Sequence, residues 1–258
     1  MTVGVLAIIA VLILAFMKIP LGFSLLTVSL ISLTMLMDFD VAMTLLPMTI
    51  SEAVLSYELA VVPMFILMAR AVRGSRDMDL KGKTALVTGA NTGLGLEMAR
   101  DLARRGADVV VAGRSRDKVE AAIATLVADN PAASLEAGIV DLNSLASVKS
   151  FAQDICKRHT RLDILINNAG VMAPPAGLTE DGFETQFGVN FVAHFALTGH
   201  LFGLLNATPK ARVVSLSSIG HRGASIDFEN FGLEKPYDQW REYGQSKLAD
   251  LVFALEFD

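Results

Sequence analysis

The sequence predicts an α/β fold, a doubly wound parallel sheet, preceded by an α-helical membrane-spanning region. Three observations carry this. From residue 84 onward, apolar runs of strand length alternate with helical stretches, the pattern of a parallel sheet covered on both faces. A glycine-rich turn, Thr88-Gly89-Ala90-Asn91-Thr92-Gly93-Leu94-Gly95, follows the first such run and leads into a helix. Finally, the chain is 52% hydrophobic with a mean hydropathy of +0.48, high for a soluble domain, and the excess lies before residue 70.

Residues 1–69 carry five charges, Lys18, Asp38, Asp40, Glu52 and Glu58, whereas residues 70–83 carry seven, five of them basic. The apolar stretches fall at 3–17, 19–37 and 59–69. A bilayer core takes roughly 20 helical residues, so the middle stretch is long enough and the other two need their flanks. The first stretch has no charged leader and no small-residue cleavage site, which favours an anchor over a signal peptide. Arg70, Arg73, Arg76, Lys81 and Lys83 follow the last stretch and place that side in the cytoplasm. Three spans put Lys18 inside and Asp38-Phe39-Asp40 outside; two spans, with the third stretch at the interface, is the alternative. The expected organisation is a membrane region over 1–74, a basic linker over 75–82 and a soluble domain over 83–258. The expected location is a membrane, a bacterial inner membrane in this reading, with the domain facing the cytoplasm. A net charge of −5 and no basic patch beyond the linker argue against nucleic-acid binding.

Within the soluble part, a strand is expected over 84–87, then the glycine turn, then a helix over 97–105. Gly89, Gly93 and Gly95 allow a tight turn and close approach to a pyrophosphate, with Asn91, Thr92 and Leu94 between them. Free N–H groups and the helix dipole favour an anion there. A second strand over 108–112 ends at Gly113-Arg114-Ser115-Arg116. No acidic residue stands at that strand end to hold a ribose hydroxyl, and Arg114 suits a 2′-phosphate. NADP is therefore expected over NAD, unless Arg114 and Arg116 are simply solvated. A third strand over 135–140 runs into Asp141-Leu142, a helix follows over 144–158, and a fourth strand over 162–166 ends in Asn167-Asn168-Ala169-Gly170. Asn190 falls on a helix. A fifth strand over 212–217 leads to Ser218, and a last helix carries Tyr243 and Lys247 through to 257. Residues four apart share a helix face. A phenol is a poor base at neutral pH, and a cation beside it favours the ionised form.

Taken in order, the glycine turn, Asn167-Asn168-Ala169-Gly170, Ser217-Ser218 and Tyr243-Gly244-Gln245-Ser246-Lys247 resemble the short-chain dehydrogenase/reductase family. The resemblance implies a Rossmann-type fold and hydride exchange between a nicotinamide cofactor and a carbonyl or alcohol. It implies that Asp141 contacts the adenine edge and Leu142 bounds its pocket, that Asn167 is mainly structural, and that Asn168, Ala169 and Gly170 border the cofactor. Asn190, Ser218, Tyr243 and Lys247 match the family tetrad. Asn190 would hold a water joined to Lys247, Ser218 would bind the substrate oxygen, and Tyr243 would give or take the proton. Lys247 would favour the phenolate and bind the nicotinamide ribose; Ser217 is the alternative to Ser218. The stretch 221–242, with Phe228, Phe231, Tyr237 and Trp240, resembles the subgroup around retinol dehydrogenases and WW-domain oxidoreductases. Its aromatics either wall a lipophilic pocket or fix the loop to the sheet. The implied substrate is a small apolar carbonyl or alcohol.

The family domain is longer than 78–258. The resemblance therefore implies a C-terminally truncated domain, a sheet incomplete at its C-terminal edge and a homo-oligomer surface partly missing. Residues 1–74 resemble the start of the large membrane subunit of TRAP transporters, through Lys18-Ile19-Pro20-Leu21-Gly22 and above all Val62-Pro63-Met64-Phe65-Ile66-Leu67-Met68. Two readings result. One is a membrane-tethered NADP-dependent oxidoreductase, and the other a non-catalytic chimera of a permease fragment with a truncated reductase. Cys156 is the only cysteine, in keeping with a reducing compartment. His159, His194, His200 and His221 have no metal-ligand spacing, and no metal is expected.

Overall fold

The computed structural model describes residues 79–257. The membrane spans expected at 1–74, and with them the permease resemblance, lie outside the described residues, as does half of the linker, residues 75–78. Among the described residues, one helical stretch, Phe187–Ala207, is long and apolar enough to cross a membrane, but half of it is buried inside the fold.

Five strands form the sheet: β1 (Thr84–Thr88), β2 (Asp108–Gly113), β3 (Ser134–Ile139), β4 (Ile164–Asn167) and β5 (Arg212–Ser215). Their order is β3-β2-β1-β4-β5, and every pairing is parallel. The helices are α1 (Gly93–Arg104), α2 (Arg116–Asp129), α3 (Leu145–Arg158), α4 (Ala193–Ala207) and α5 (Gln239–Glu256). A π-helical segment, Phe187–Val192, runs directly into α4, and a 3₁₀ turn, Ile219–His221, follows β5.

Strand alternation divides the core in two. Leu86 and Val110 turn to one face and pack with Val148, Phe151, Leu197 and Leu201 of α3 and α4. Ala85, Val87, Val109 and Val111 turn to the other and pack with Ala99, Leu102, Val119 and Leu126 of α1 and α2. This is the doubly wound arrangement, and it explains why β1 reads as an unbroken buried run. The chain winds outward from β1 to β3 and then returns to lay β4 on the other side of β1. A crevice therefore opens at the carboxyl ends of β1 and β4, where ligands of such sheets sit.

Several boundaries differ from expectation. Helix α1 begins at Gly93, inside the glycine turn, because Gly93 and Gly95 form its first turn. β5 stops at Ser215, so Ser217 and Ser218 lie beyond the strand and strand alternation does not separate them. α2 and α4 add two helices. At the far end, α5 is capped by Asp238, whose carboxylate accepts from the N–H groups of Trp240 and Arg241 at 2.9 Å each, a standard N-terminal stop.

Candidate active site

The crevice encloses a cavity of about 660 Å³, and its wall includes Gly89, Asn91, Thr92, Leu94, Gly95, Arg114, Asp141, Leu142, Asn168, Ala169 and Gly170. All eleven were expected there. Gly93 is not on the wall; its φ of +56° makes the turn into α1. Gly89 and Gly95 are needed for close approach. A Cβ on Gly95 would lie 2.4 Å from Gly89 O and 2.5 Å from Asn168 Nδ2, and one on Gly89 would lie 2.9 Å from Ala169 Cα. Thr92 gives α1 no side-chain cap, and the first turn holds no acidic residue. Leu94 and Gly95 of this first turn line the cavity, and the first N–H groups of a helix have no partner within it, the donor set a pyrophosphate takes. Arg114 is exposed on the rim, whereas Arg116 pairs with Glu120 one turn along α2. Of the two guanidiniums, Arg114 is the one disposed to meet a 2′-phosphate.

Sequence reading did not assign Thr88, Gly113, Val140, Asn143, Val171, Thr185 or Val189 to the wall. Thr88 is the centre of a buried network. Its Oγ1 accepts from Asn168 N at 2.9 Å and Ala169 N at 3.0 Å and lies 2.9 Å from His194 Nε2. His194 Nδ1 lies 2.7 Å from the backbone carbonyl of Asn190, which can only accept. Nδ1 therefore carries the proton, and Nε2 accepts from the Thr88 hydroxyl. Burial pushes the imidazole down to about 4, against the Asn190 bond and with help from the Lys247 charge. This fits a neutral ring.

The tetrad residues converge at the same end of the sheet. Asn190 lies in the π-helical segment. Its Oδ1 accepts from Val171 N at 2.8 Å, while its Nδ2 reaches Val171 O and Ser246 Oγ at 3.0 Å each. The side-chain amide is thus engaged in aligning the Gly170–Val171 backbone and α5, and its backbone carbonyl is taken by His194. Ser217 Oγ donates to Lys247 O at 2.6 Å, a structural role. Ser218 Oγ accepts from Gly220 N at 3.2 Å and keeps its hydrogen. A Cβ on Gly220 would lie 3.1 Å from Tyr243 Cε1 and 3.6 Å from Ser218 Oγ, so the phenol ring and the serine hydroxyl both lie close to this glycine. Of the two serines, Ser217 is committed to the Lys247 backbone, while Ser218 shares the surroundings of Gly220 with the Tyr243 ring. Lys247 Nζ donates to Leu216 O at 2.9 Å and to Asp250 Oδ2 at 2.8 Å. It lies 3.8 Å from where a Cβ of Gly170 would stand, immediately behind the cavity wall.

Two of the four aromatics of the insert take the loop-fixing role. Phe231 stacks on Phe187 with centroids 4.6 Å apart, and Tyr237 donates to Pro174 O at 2.6 Å; these two fix the loop. Phe228 and Trp240 remain exposed, and Trp240 meets the Tyr243 ring edge-on at 6.5 Å. Among the described residues no group of histidine, cysteine and carboxylate side chains is arranged to hold a metal.

A short chain dehydrogenase family model matches residues 83–251. Retinol dehydrogenase 13 of Mus musculus is 44% identical over 178 residues, covering 69% of this chain and 53% of the relative. Retinol dehydrogenase 12 of Mus musculus is also 44% identical, over 70% of this chain and 57% of the relative. The chain spans about half the length of these curated relatives. Among solved structures, an uncharacterised protein from Mycobacterium paratuberculosis superposes with a TM-score of 0.61 at 43% identity, over 69% of this chain and 62% of that one. A short chain dehydrogenase from Escherichia coli, complexed with NADPH, gives 0.56 at 27% identity, over 70% of this chain and 74% of that one.

Proposed function

The chain belongs to the short-chain dehydrogenase family, and on that premise we propose that it is an NADP-dependent oxidoreductase interconverting an apolar alcohol and its carbonyl compound. One observation carries the reading: the glycine cradle after β1, Arg114 after β2 and the tetrad residues beyond β4 and β5 stand along one edge of the sheet, where its strands end. The cavity fits a dinucleotide, because its space of about 660 Å³ runs from the glycine turn past Arg114 to Asp141 and Leu142 and the helix N-terminus on its wall is uncapped. When bound there, the nicotinamide supplies the hydride chemistry.

The rest is the work of this chain's own residues. Free N–H groups of α1 hold the pyrophosphate, Arg114 the 2′-phosphate, and Asp141 and Leu142 bound the adenine. Lys247 has two of its three N–H donors engaged; the third is left for a ribose hydroxyl. Ser218 O–H orients the substrate oxygen, and the Tyr243 hydroxyl gives its proton to that oxygen in reduction and takes it back in oxidation. Asn190 positions the Gly170–Val171 backbone and α5. The names of the curated relatives favour a retinol-like, apolar substrate, and the exposed Trp240 offers apolar surface beside Tyr243. Residues 1–74 are proposed as a membrane anchor with the enzyme on the cytoplasmic side, a reading that rests on their composition. The chimera reading gains no support from the described residues.

The test is turnover of NADPH, with NADH beside it, against apolar aldehydes in detergent. Activity that prefers NADPH and falls about a thousandfold in Tyr243→Phe is the expected outcome. Turnover indifferent to that substitution would remove Tyr243 from the chemistry and with it this mechanism.

A further inference from the structure

Lys247 does not stand alone behind the cavity. Its ammonium and the Asp250 carboxylate, 2.8 Å apart and one turn apart on α5, are 8% and 4% exposed. A buried carboxylate with a single cationic partner is expensive to keep ionised. Burial pushes Asp250 up to about 6, while the Lys247 charge and hydrogen bond pull it down. A side chain of this cost, placed against the cation that serves Tyr243, has a use in charge rather than in stability.

We propose that Asp250 is a positioning residue of the acid/base site: its carboxylate fixes the Lys247 ammonium against Leu216 O and offsets its charge, thereby setting the pH at which Tyr243 ionises. This rests on the reading of Tyr243 as the acid/base. The pair carries no net charge, so Tyr243 feels a weaker positive field than a lone lysine would give.

Other charges around the pair are few. The π-helical segment packed on α5 has no ionisable side chain. The 3₁₀ turn brings His221, whose Nδ1 is tied to Ser218 O. α4 brings His194, held neutral by burial. β5 brings only Arg212, exposed at the strand's amino end. On α5 itself, Glu242 is turned to Asn230 and Arg241.

The experiment reads tyrosinate ultraviolet absorbance against pH in the full chain without nucleotide, with Tyr243→Phe identifying the Tyr243 component among the three tyrosines. Asp250→Asn should move that component down by about one pH unit, the size expected for one charge at close range in a partly buried site. Lys247→Met should move it up. The double variant Lys247→Met/Asp250→Asn, again without net charge, should return it toward wild type, and Asp250→Glu should stay near it. If Asp250→Asn alone does not fold, the step from Lys247→Met to the double variant reads the same charge. A Tyr243 component that is unmoved, or moves upward, when Asp250 loses its charge overturns the proposal. Because no turnover is required, that result is distinct from failure of the enzymatic reading. In an active preparation the pH midpoint of the rate should follow the same order.

Discussion

The two ends of the sheet treat the same side chain in opposite ways. At the amino ends of β1 and β4, Asp163 is buried and receives Lys83 Nζ at 3.0 Å, Thr84 N at 3.0 Å and a two-pronged contact from Arg161 at 2.6 and 2.7 Å. Burial alone would push its carboxyl up, yet these hydrogen bonds and the Arg161 charge hold it down at about 2. At the carboxyl end, Asp250 has only Lys247, and its carboxyl is pushed up to about 6. Donor count separates the two. At the amino end the charge is fully met; at the carboxyl end it is left poorly solvated and responsive to its neighbour.

That contrast can be broken by substitution. The largest effect is expected at the carboxyl end from Gly95→Ala, which forces a methyl against a backbone oxygen. Overpacking of this kind costs about 1–3 kcal/mol, and the upper end corresponds to about a hundredfold in nucleotide affinity. NADPH titration followed through Trp240 fluorescence measures it. A matching loss of thermal stability would mark the cradle as structural rather than built for a ligand.

At the amino end, Asp163→Asn should cost about 2 kcal/mol of stability at neutral pH and leave nucleotide binding within error. The sign is definite. The folded carboxyl titrates at about 2 against an ordinary 3.8, so its contribution is present above about 4 and lost as pH falls through 2. Denaturant unfolding of both proteins across that window should show the gap closing; a constant gap would mean the ion cluster is not its source. The smallest effect is expected from Arg114→Ser on the rim. NADPH affinity should fall about tenfold, the value of one exposed charge-assisted phosphate contact, with NADH affinity unchanged.

Much of this site is legible in the sequence because its parts are local. The glycine turn, Arg114 at the end of β2 and the four-residue spacing of Tyr243 and Lys247 each need only a short window. What escapes the sequence is joined through space or lacks a pattern. Thr88 and His194 lie 106 residues apart and meet only when α4 packs under β1. α4 is apolar on nearly every side, so its periodicity is faint, and α2 is equally flat in pattern, its buried face being only Val119, Ala122 and Leu126. Asp250 was within reach: it stands three residues after Lys247, and an acid at that spacing on a helix is a signal of pairing. The choice between Ser217 and Ser218 does not rest on strand alternation. Both serines lie past the strand, and what distinguishes them is that Ser217 is tied to the Lys247 backbone.

The π-helical segment has a consequence for how such a site is built. A π turn holds one residue more than an α turn, and it leaves the helix on either side intact. Each residue of an α-helix is rotated by about 100° from the last, so one added residue turns everything before it relative to everything after. Leu197, Leu201 and Leu205 meet the sheet in the phase that the core requires, while Asn190 meets Val171 and Ser246 in another. One rod therefore carries two independent settings, and the aim of Asn190 can be altered without loosening the core beneath it.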